Sequence, residues 1–301
     1  MPEICEVCLT SQYLHTIIHG NIEHIIVLGG RYKKKPILGF NLLKFPLKID
    51  AINTKGKFMW FTLSNDDNTD DEHKIYLMNT FGLTGKWSFE KLPNANIEFR
   101  ISKKNKQYSL YFCDQRNFGT IEFTSDIAKL DNKLNKLADD LLQTDIPNNL
   151  FRERLSKFKN KTIVSVLMSQ EKKSGIGSGL GNYLVPEILY RAKISPHRKI
   201  KTLSKSEIKL LHNAIKYQLR LCYIHNNTEY ISHMSKFLST HPNKIQQNIF
   251  PNYYDNISID KSDIKSFFKV YRQKKDPDGF DVIGDHIISG RTTYWSPEVQ
   301  K

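Results

Sequence analysis

Cysteine is scarce in this chain. Four residues, Cys5, Cys8, Cys113 and Cys222, are spread over 301 positions, too few and too scattered for a disulfide framework. None lies beyond Cys222, so a four-cysteine zinc site near the C-terminus is excluded. Cys5 and Cys8 form a C-x-x-C with no second such pair to complete it. Ile4, Val7, Cys8, Leu14 and Ile17 recur around them at helical spacing, so these thiols read as small hydrophobes. No apolar run approaches the ~20 residues that span a bilayer, and no secretory h-region opens the chain. The glycine-rich stretch Ser174–Asn182 fails as a dinucleotide fingerprint, because its registers need glycine at Leu180 or Asn182. No phosphate-binding P-loop is present either.

Acidic residues are also under-represented: 31 Asp and Glu face 45 Lys and Arg, giving a net charge of +14 and a pI near 9.4. Such an excess points to a polyanionic partner. With 39% hydrophobic and 11% aromatic residues, the chain is a folded protein long enough for two domains. The polyanionic partner is either nucleic acid or an anionic membrane surface, and the expectation is a soluble, intracellular protein.

Strands are predicted at Ile25–Leu28, Phe58–Leu63, Lys74–Met78, Ile97–Ser102, Tyr108–Cys113 and Thr120–Phe123, a rhythm that suggests a β-sandwich or barrel. Helical spacing follows over Asp126–Leu142, Leu150–Phe158, Ile163–Gln170, Tyr183–Ala192 and Ser204–His225. A polar stretch, Asn226–Ile259, reads as loop, Asp263–Val270 as a helix, and Tyr271–Lys301 as a hairpin.

The N-terminus reads Met1-Pro2-Glu3, with Glu6 one turn on. Removal of Met1 exposes a secondary amine, and terminal amines titrate near pH 8, so this one can act as a nucleophile. Proline equally suits a helix start. The Gly181-Asn182 pair reads as a turn before a helix, where backbone N–H groups form a ready phosphate site.

Five motifs in order resemble the formamidopyrimidine-DNA glycosylase and endonuclease VIII family. They are Pro2-Glu3-Ile4-Cys5-Glu6-Val7, Gly56-Lys57-Phe58, Arg116-Asn117-Phe118-Gly119, the run Gly179-Leu180-Gly181-Asn182 through Glu187 to Pro196, and Gly290-Arg291-Thr292-Thr293-Tyr294. Leu184 departs from a family tyrosine. The resemblance implies an α+β multidomain fold. Residues 1–140 form a catalytic domain of an N-terminal helix and β-sandwich. Residues 141–269 form a helical domain with a helix-two-turn-helix, and residues 270–301 a zincless β-hairpin finger.

It also implies a base-excision repair glycosylase with a linked abasic-site lyase activity, using no cofactor and no metal. Pro2 is then the nucleophile, Glu3 the proton shuttle and Lys57 a contact beside the lesion; Glu6 touches the sugar or positions its neighbours. Asn182 and Arg291 hold phosphates, while Leu83, Arg116 and Phe118 fill the gap left by the flipped nucleotide. The implied partner is double-stranded DNA carrying oxidised bases or abasic sites, with single-stranded DNA left open; the protein is then a monomer with no membrane partner that acts wherever the DNA is.

In the finger, Ser296 and Val299 fall where the family often has its later cysteine pair, and Asp278 and Asp281 lie near the earlier one. The acidic cluster there lacks calcium-loop spacing. The hairpin is therefore expected to be held by packing of Phe280, Val282, Ile283, Ile287, Ile288, Tyr294 and Trp295. This pattern resembles the endonuclease VIII-like branch and implies oxidised pyrimidines and ring-opened purines as substrates. A catalytically silent damaged-DNA-binding homologue is the alternative, and a basic RNA-binding or scaffold protein a third.

Overall fold

The computed structural model describes residues 2–65, 74–228 and 257–301. They fall into two compact units. The first contains the described residues up to Asn135, the second those of Lys136–Asn226 and of 257–301.

The first unit opens with helix α1 (Ile4–Leu14), buried on nearly every side. It is followed by one continuous antiparallel sheet of eight strands: β1 (Asn21–Val27), β2 (Leu47–Lys55), β3 (Phe58–Ser64), β4 (Ile75–Thr80), β5 (Lys86–Ser88), β6 (Ala95–Lys103), β7 (Lys106–Cys113) and β8 (Thr120–Thr124). Their spatial order is β5-β7-β6-β1-β2-β3-β4-β8. The sheet curls until its ends face each other, as the two layers of a sandwich do. Trp87 on edge strand β5 shows this, with its ring 5.4 Å from Phe61 of β3, 5.3 Å from Phe99 and 5.2 Å from Phe112. Its indole N–H donates to Asn79 Oδ1 of β4 at 3.0 Å. Each such fully buried aromatic contributes roughly 1.5–3 kcal/mol through removal of apolar surface from water.

Two strands, β2 and β5, escape the sequence pattern. In β2 the alternation of Leu47 and Ile49 is broken by a register shift between Ile49 and Ala51, and β5 is only three residues long. Helix α1 docks on β2: Ser11 Oγ donates to the Ile52 carbonyl at 3.2 Å, and His15 Nε2 lies 3.3 Å from the same oxygen. Cys5 is fully buried in α1, and Cys8 one turn on accepts from Gln12 Nε2 at 3.5 Å. His15 and His19 supply an H-x-x-x-H spacing downstream of the cysteines. No group of three or more metal-ligating side chains converges among the described residues.

Helix α2 (Ile127–Lys136) stops well short of the expected Leu142. Beyond it, the Asp140 carboxylate accepts from the N–H groups of Leu142 and Gln143 at 2.8 and 3.0 Å, a side-chain turn that displaces helical hydrogen bonding.

The second unit carries α3 (Asn148–Ser156), α4 (Ile163–Met168), α5 (Leu184–Arg191), α6 (Lys205–Thr228) and the short α7 (Lys261–Lys265), then the hairpin β9 (Ile283–Ile288) and β10 (Arg291–Trp295). Helix α7 begins and ends before the expected Asp263–Val270. Asp260 caps it early by accepting from the Ser262 N–H at 2.8 Å. The N–H groups of Lys269, Val270 and Tyr271 are meanwhile taken by the Glu187 carboxylate at 2.8–3.0 Å. The Asn226–Ile259 stretch lies largely outside the described residues. No described helix is long and apolar enough to cross a membrane.

Candidate active site and nucleic-acid interface

In the first unit, Pro2 is buried and directly precedes Glu3, the N-cap of α1. Glu3 is fully buried and Glu6 is 6% exposed. The Glu6 carboxylate accepts from the Glu3 backbone N–H at 3.0 Å, one arm of a capping box, and so orients the residue after Pro2. Glu6 is therefore part of the buried N-terminal framework rather than a solvated surface acid. A cleft of about 290 Å³ opens beside these residues, lined by Pro2, Glu6, Leu83, Lys86, Asn94 and Gln115 among others.

Lys57 does not line that cleft. It sits half-buried in the two-residue loop between β2 and β3. Gly56 there adopts φ +59°, a left-handed conformation that a two-residue hairpin loop demands and glycine supplies without strain.

The other three residues assigned to the DNA gap come from two neighbouring turns. Leu83 is half-exposed in the turn Phe81–Gly85, closed by the Gly85 N–H donating to the Phe81 carbonyl at 2.8 Å. Arg116 is exposed and Phe118 is 60% exposed. A large aromatic held this far into solvent is not a core packing residue. Between them Asn117 adopts φ +57°. Its side-chain oxygen accepts from the Arg31 N–H and from Asn96 Nδ2, both at 3.0 Å. Arg31 Nη1 also lies 3.5 Å from the Asn117 carbonyl, so a cationic side chain neighbours this loop.

In the second unit, Asn182 is half-exposed in the last residues before α5, and its side-chain oxygen has no hydrogen-bond partner among the described residues. The glycine segment ahead of it is a long connection from Met168 to Leu184 rather than a tight turn. At Gly177 an added Cβ would lie 2.3 Å from the Leu141 side chain, so close packing explains that glycine. Arg291 is exposed at the start of β10, immediately after the hairpin turn at Gly290. Its guanidinium Nη1 donates to Met168 Sδ at 3.8 Å.

The finger corrects the expected apolar packing. Phe280 and Ile283 are 44% and 41% exposed, whereas Asp276, Thr293, Ser296 and Gln300 are at most 5% exposed. Asp276 Oδ1 accepts from the N–H groups of Asp278 and Phe280 at 3.0 and 2.9 Å, and its Oδ2 accepts from Ser296 Oγ at 2.8 Å. Gln300 Oε1 accepts from the Ser296 N–H at 2.9 Å, while its Nε2 donates to the Ile194 carbonyl at 3.0 Å. Asp285 accepts from Trp295 Nε1 across the hairpin and from His197 Nε2, both at 2.7 Å. The His197 hydrogen bond holds the Asp285 carboxyl below its usual range. Glu187 goes the other way: burial pushes it up to about 6 despite three backbone donors. Neither Asp276 nor Gln300 had a motif to mark it. A carboxylate with three donors is visible only once the chain has folded back on itself.

Three family models cover most of the chain: the formamidopyrimidine-DNA glycosylase N-terminal domain over residues 1–121, its H2TH domain over 137–229 and its C-terminal domain over 256–301. The formamidopyrimidine-DNA glycosylase of Lactococcus lactis subsp. cremoris is 30% identical over 221 residues, covering 71% of this chain and 76% of the relative. That of Halalkalibacterium halodurans is 32% identical over 219 residues, with the same coverage. This chain belongs to the formamidopyrimidine-DNA glycosylase family. The fold agrees. The L. lactis family enzyme, solved in complex with DNA containing an oxidised pyrimidine, matches with a TM-score of 0.73 at 22% identity over 100% of both chains. The family protein of Thermus thermophilus matches at 0.70 with 20% identity, over 99% of this chain and 98% of that one.

Proposed function

We propose that this chain is a bifunctional DNA glycosylase and abasic-site lyase of base-excision repair, of the endonuclease VIII-like branch. Its substrates are oxidised pyrimidines and ring-opened purines in double-stranded DNA. The observation that carries this reading is the cleft in which Pro2 meets Glu6 and Leu83, on the unit that also thrusts Arg116 and Phe118 into solvent. The assignment of residues 1–140, 141–269 and 270–301 as catalytic domain, helix-two-turn-helix domain and finger belongs to the same proposal.

With Met1 removed, the Pro2 nitrogen attacks C1′ of the damaged nucleoside. A C1′–N bond forms, the glycosidic bond breaks, and the base departs with a proton. The amine proton is lost, O4′ is protonated and the C1′–O4′ bond breaks, which opens the sugar to an iminium that acidifies the 2′-hydrogen. Loss of that proton and breakage of the C3′–O bond constitute β-elimination, and a second elimination releases the 5′ phosphate. Glu3 carries the protons. Burial of Glu3 beside the nucleophile keeps bulk water from competing for that task. Lys57, Asn182 and Arg291 contact phosphates, with the planar guanidinium suited to bidentate binding. Leu83, Arg116 and Phe118 occupy the gap, offsetting the few kcal/mol that flipping a nucleotide costs. Support for the endonuclease VIII-like branch comes from the lack of cysteine in the finger, where Ser296 Oγ instead donates to the Asp276 carboxylate.

Incubation with abasic-site duplex and borohydride tests the chemistry. The expected result is a covalent adduct on the N-terminal peptide, whose mass also reports whether Met1 is gone. Pro2→Gly should weaken or redirect trapping, and an N-terminal tag should abolish it. DNA binding without any adduct refutes the lyase reading and favours the silent binding homologue.

A further inference from the structure

We propose that Asp114 is a positioning residue that locks the Leu83 turn and the Arg116–Phe118 loop into one gap-filling unit. The inference rests on the reading above that these three side chains enter DNA. Asp114 is 1% exposed at the end of β7, where a carboxylate is tolerated only if its oxygens are well hydrogen-bonded. Its Oδ1 accepts from Thr84 Oγ1, next to Leu83, at 2.5 Å. The same oxygen accepts from the Arg116 N–H at 3.2 Å, and Oδ2 accepts from the Gly119 N–H at 2.6 Å. Thr84 Oγ1 in turn accepts from the Arg116 N–H at 3.0 Å. One buried carboxylate thus grips both sides of the Arg116–Phe118 loop and the turn that carries Leu83.

The glycines show how tightly the two pieces are stacked. A Cβ on Gly82 would lie 2.6 Å from the Gly119 nitrogen and from the Phe118 carbonyl carbon. A Cβ on Gly119 would lie 2.8 Å from the Phe112 ring and 3.0 Å from Asp114 Oδ2. The two turns therefore meet backbone to backbone, with Asp114 as their shared anchor. Gap filling demands that three side chains from two segments arrive at fixed spacing, and such preorganisation removes the ordering cost that free loops would incur on binding.

Two assays separate positioning from folding and from chemistry. Excision from duplex carrying a single 5-hydroxyuracil needs the gap filled. Borohydride trapping on a single-stranded abasic oligonucleotide leaves no opposite strand to hold and no gap in a duplex. For Asp114→Asn, an amide must face the Gly119 N–H or the Arg116 N–H donor to donor. For Thr84→Val the shape is kept and the hydroxyl lost. In both variants the ratio of duplex excision to single-strand trapping should fall about tenfold, the scale of one lost buried hydrogen bond. Thr84→Ser should restore it. The fluorescence rise of 2-aminopurine placed beside an abasic analogue in duplex, which reports insertion independently of chemistry, should fall in parallel. An unchanged ratio, or equal losses in both assays with normal fluorescence, overturns the proposal. A wild-type protein that gives the fluorescence signal without trapping fails the lyase reading while leaving this test intact.

Discussion

The sheet and the finger solve the same problem with opposite materials. In the sheet, Trp87, Phe61, Phe99 and Phe112 are at most 2% exposed and touch one another across strands. In the finger Asp276, Thr293, Ser296 and Gln300 are buried, whereas Phe280 and Ile283 are exposed and Val282, Ile287, Ile288, Tyr294 and Trp295 are only half-buried. An eight-stranded sheet curls over itself and can remove whole aromatic rings from water. A two-stranded hairpin has one thin layer and cannot. What it can do is hydrogen-bond buried polar groups, as Asp276, Ser296 and Gln300 are, and such a network specifies geometry more sharply than it stabilises.

The contrast can be broken at several strengths. The largest effect is expected for Trp87→Ala, which should cost about 3–5 kcal/mol of unfolding free energy, measured by denaturant titration following a sheet signal. Asp276→Ala should come next, at roughly 1–3 kcal/mol, because it strands Ser296 Oγ and two backbone donors in a buried site. Its loss should be confined to the second unit, seen as faster amide exchange in 276–300 with the sheet protected. A global transition would contradict the comparison.

Glu187 gives a pH-dependent test within the same unit. Its carboxyl, raised to about 6 in the fold, binds its proton more tightly folded than unfolded. Its contribution is therefore fully present below the unfolded value near 4.5 and lost as pH rises through about 6. That amounts to about 2 kcal/mol. Glu187→Gln should flatten the stability-pH curve over this window, and an unchanged slope would refute the assignment. The smallest effect is expected for Phe280→Ser, within about 0.5 kcal/mol. A larger loss would restore apolar packing as the glue of the finger. Arg291→Ala should leave stability alone and reduce the salt slope of DNA binding by roughly 0.9 log units per log unit of salt.

Several elements were legible because local pattern and tertiary context agree. Phe58–Leu63 and Ile97–Ser102 are strands by β-branched and aromatic content, and both lie inside the strands that form. Strand β2 was not legible, since the register shift near Ala51 breaks its alternation. Helix α2 ends early because the Asp140 carboxylate captures N–H groups that a helix would have used. The candidate site divides likewise. Pro2, Glu3, Glu6, Lys57, Asn182 and Arg291 stand out through motifs. Asp114 and Asp276 do not, because their importance lies in donors from elsewhere in the fold.

What could be read without the fold was a proline next to Met1, a carboxylate beside it, an excess of basic residues and no cysteine beyond Cys222. These follow from residue type and order, which folding does not change. What holds side chains in place came instead from the way distant segments meet. The curling of the sheet made Trp87 a core residue. Contact between two turns made Asp114 a shared anchor, and the return of the chain to Ser296 made Asp276 the fastening of the finger. Hydrogen bonding and burial depend on which distant segments meet, and that information appears only when the chain has closed.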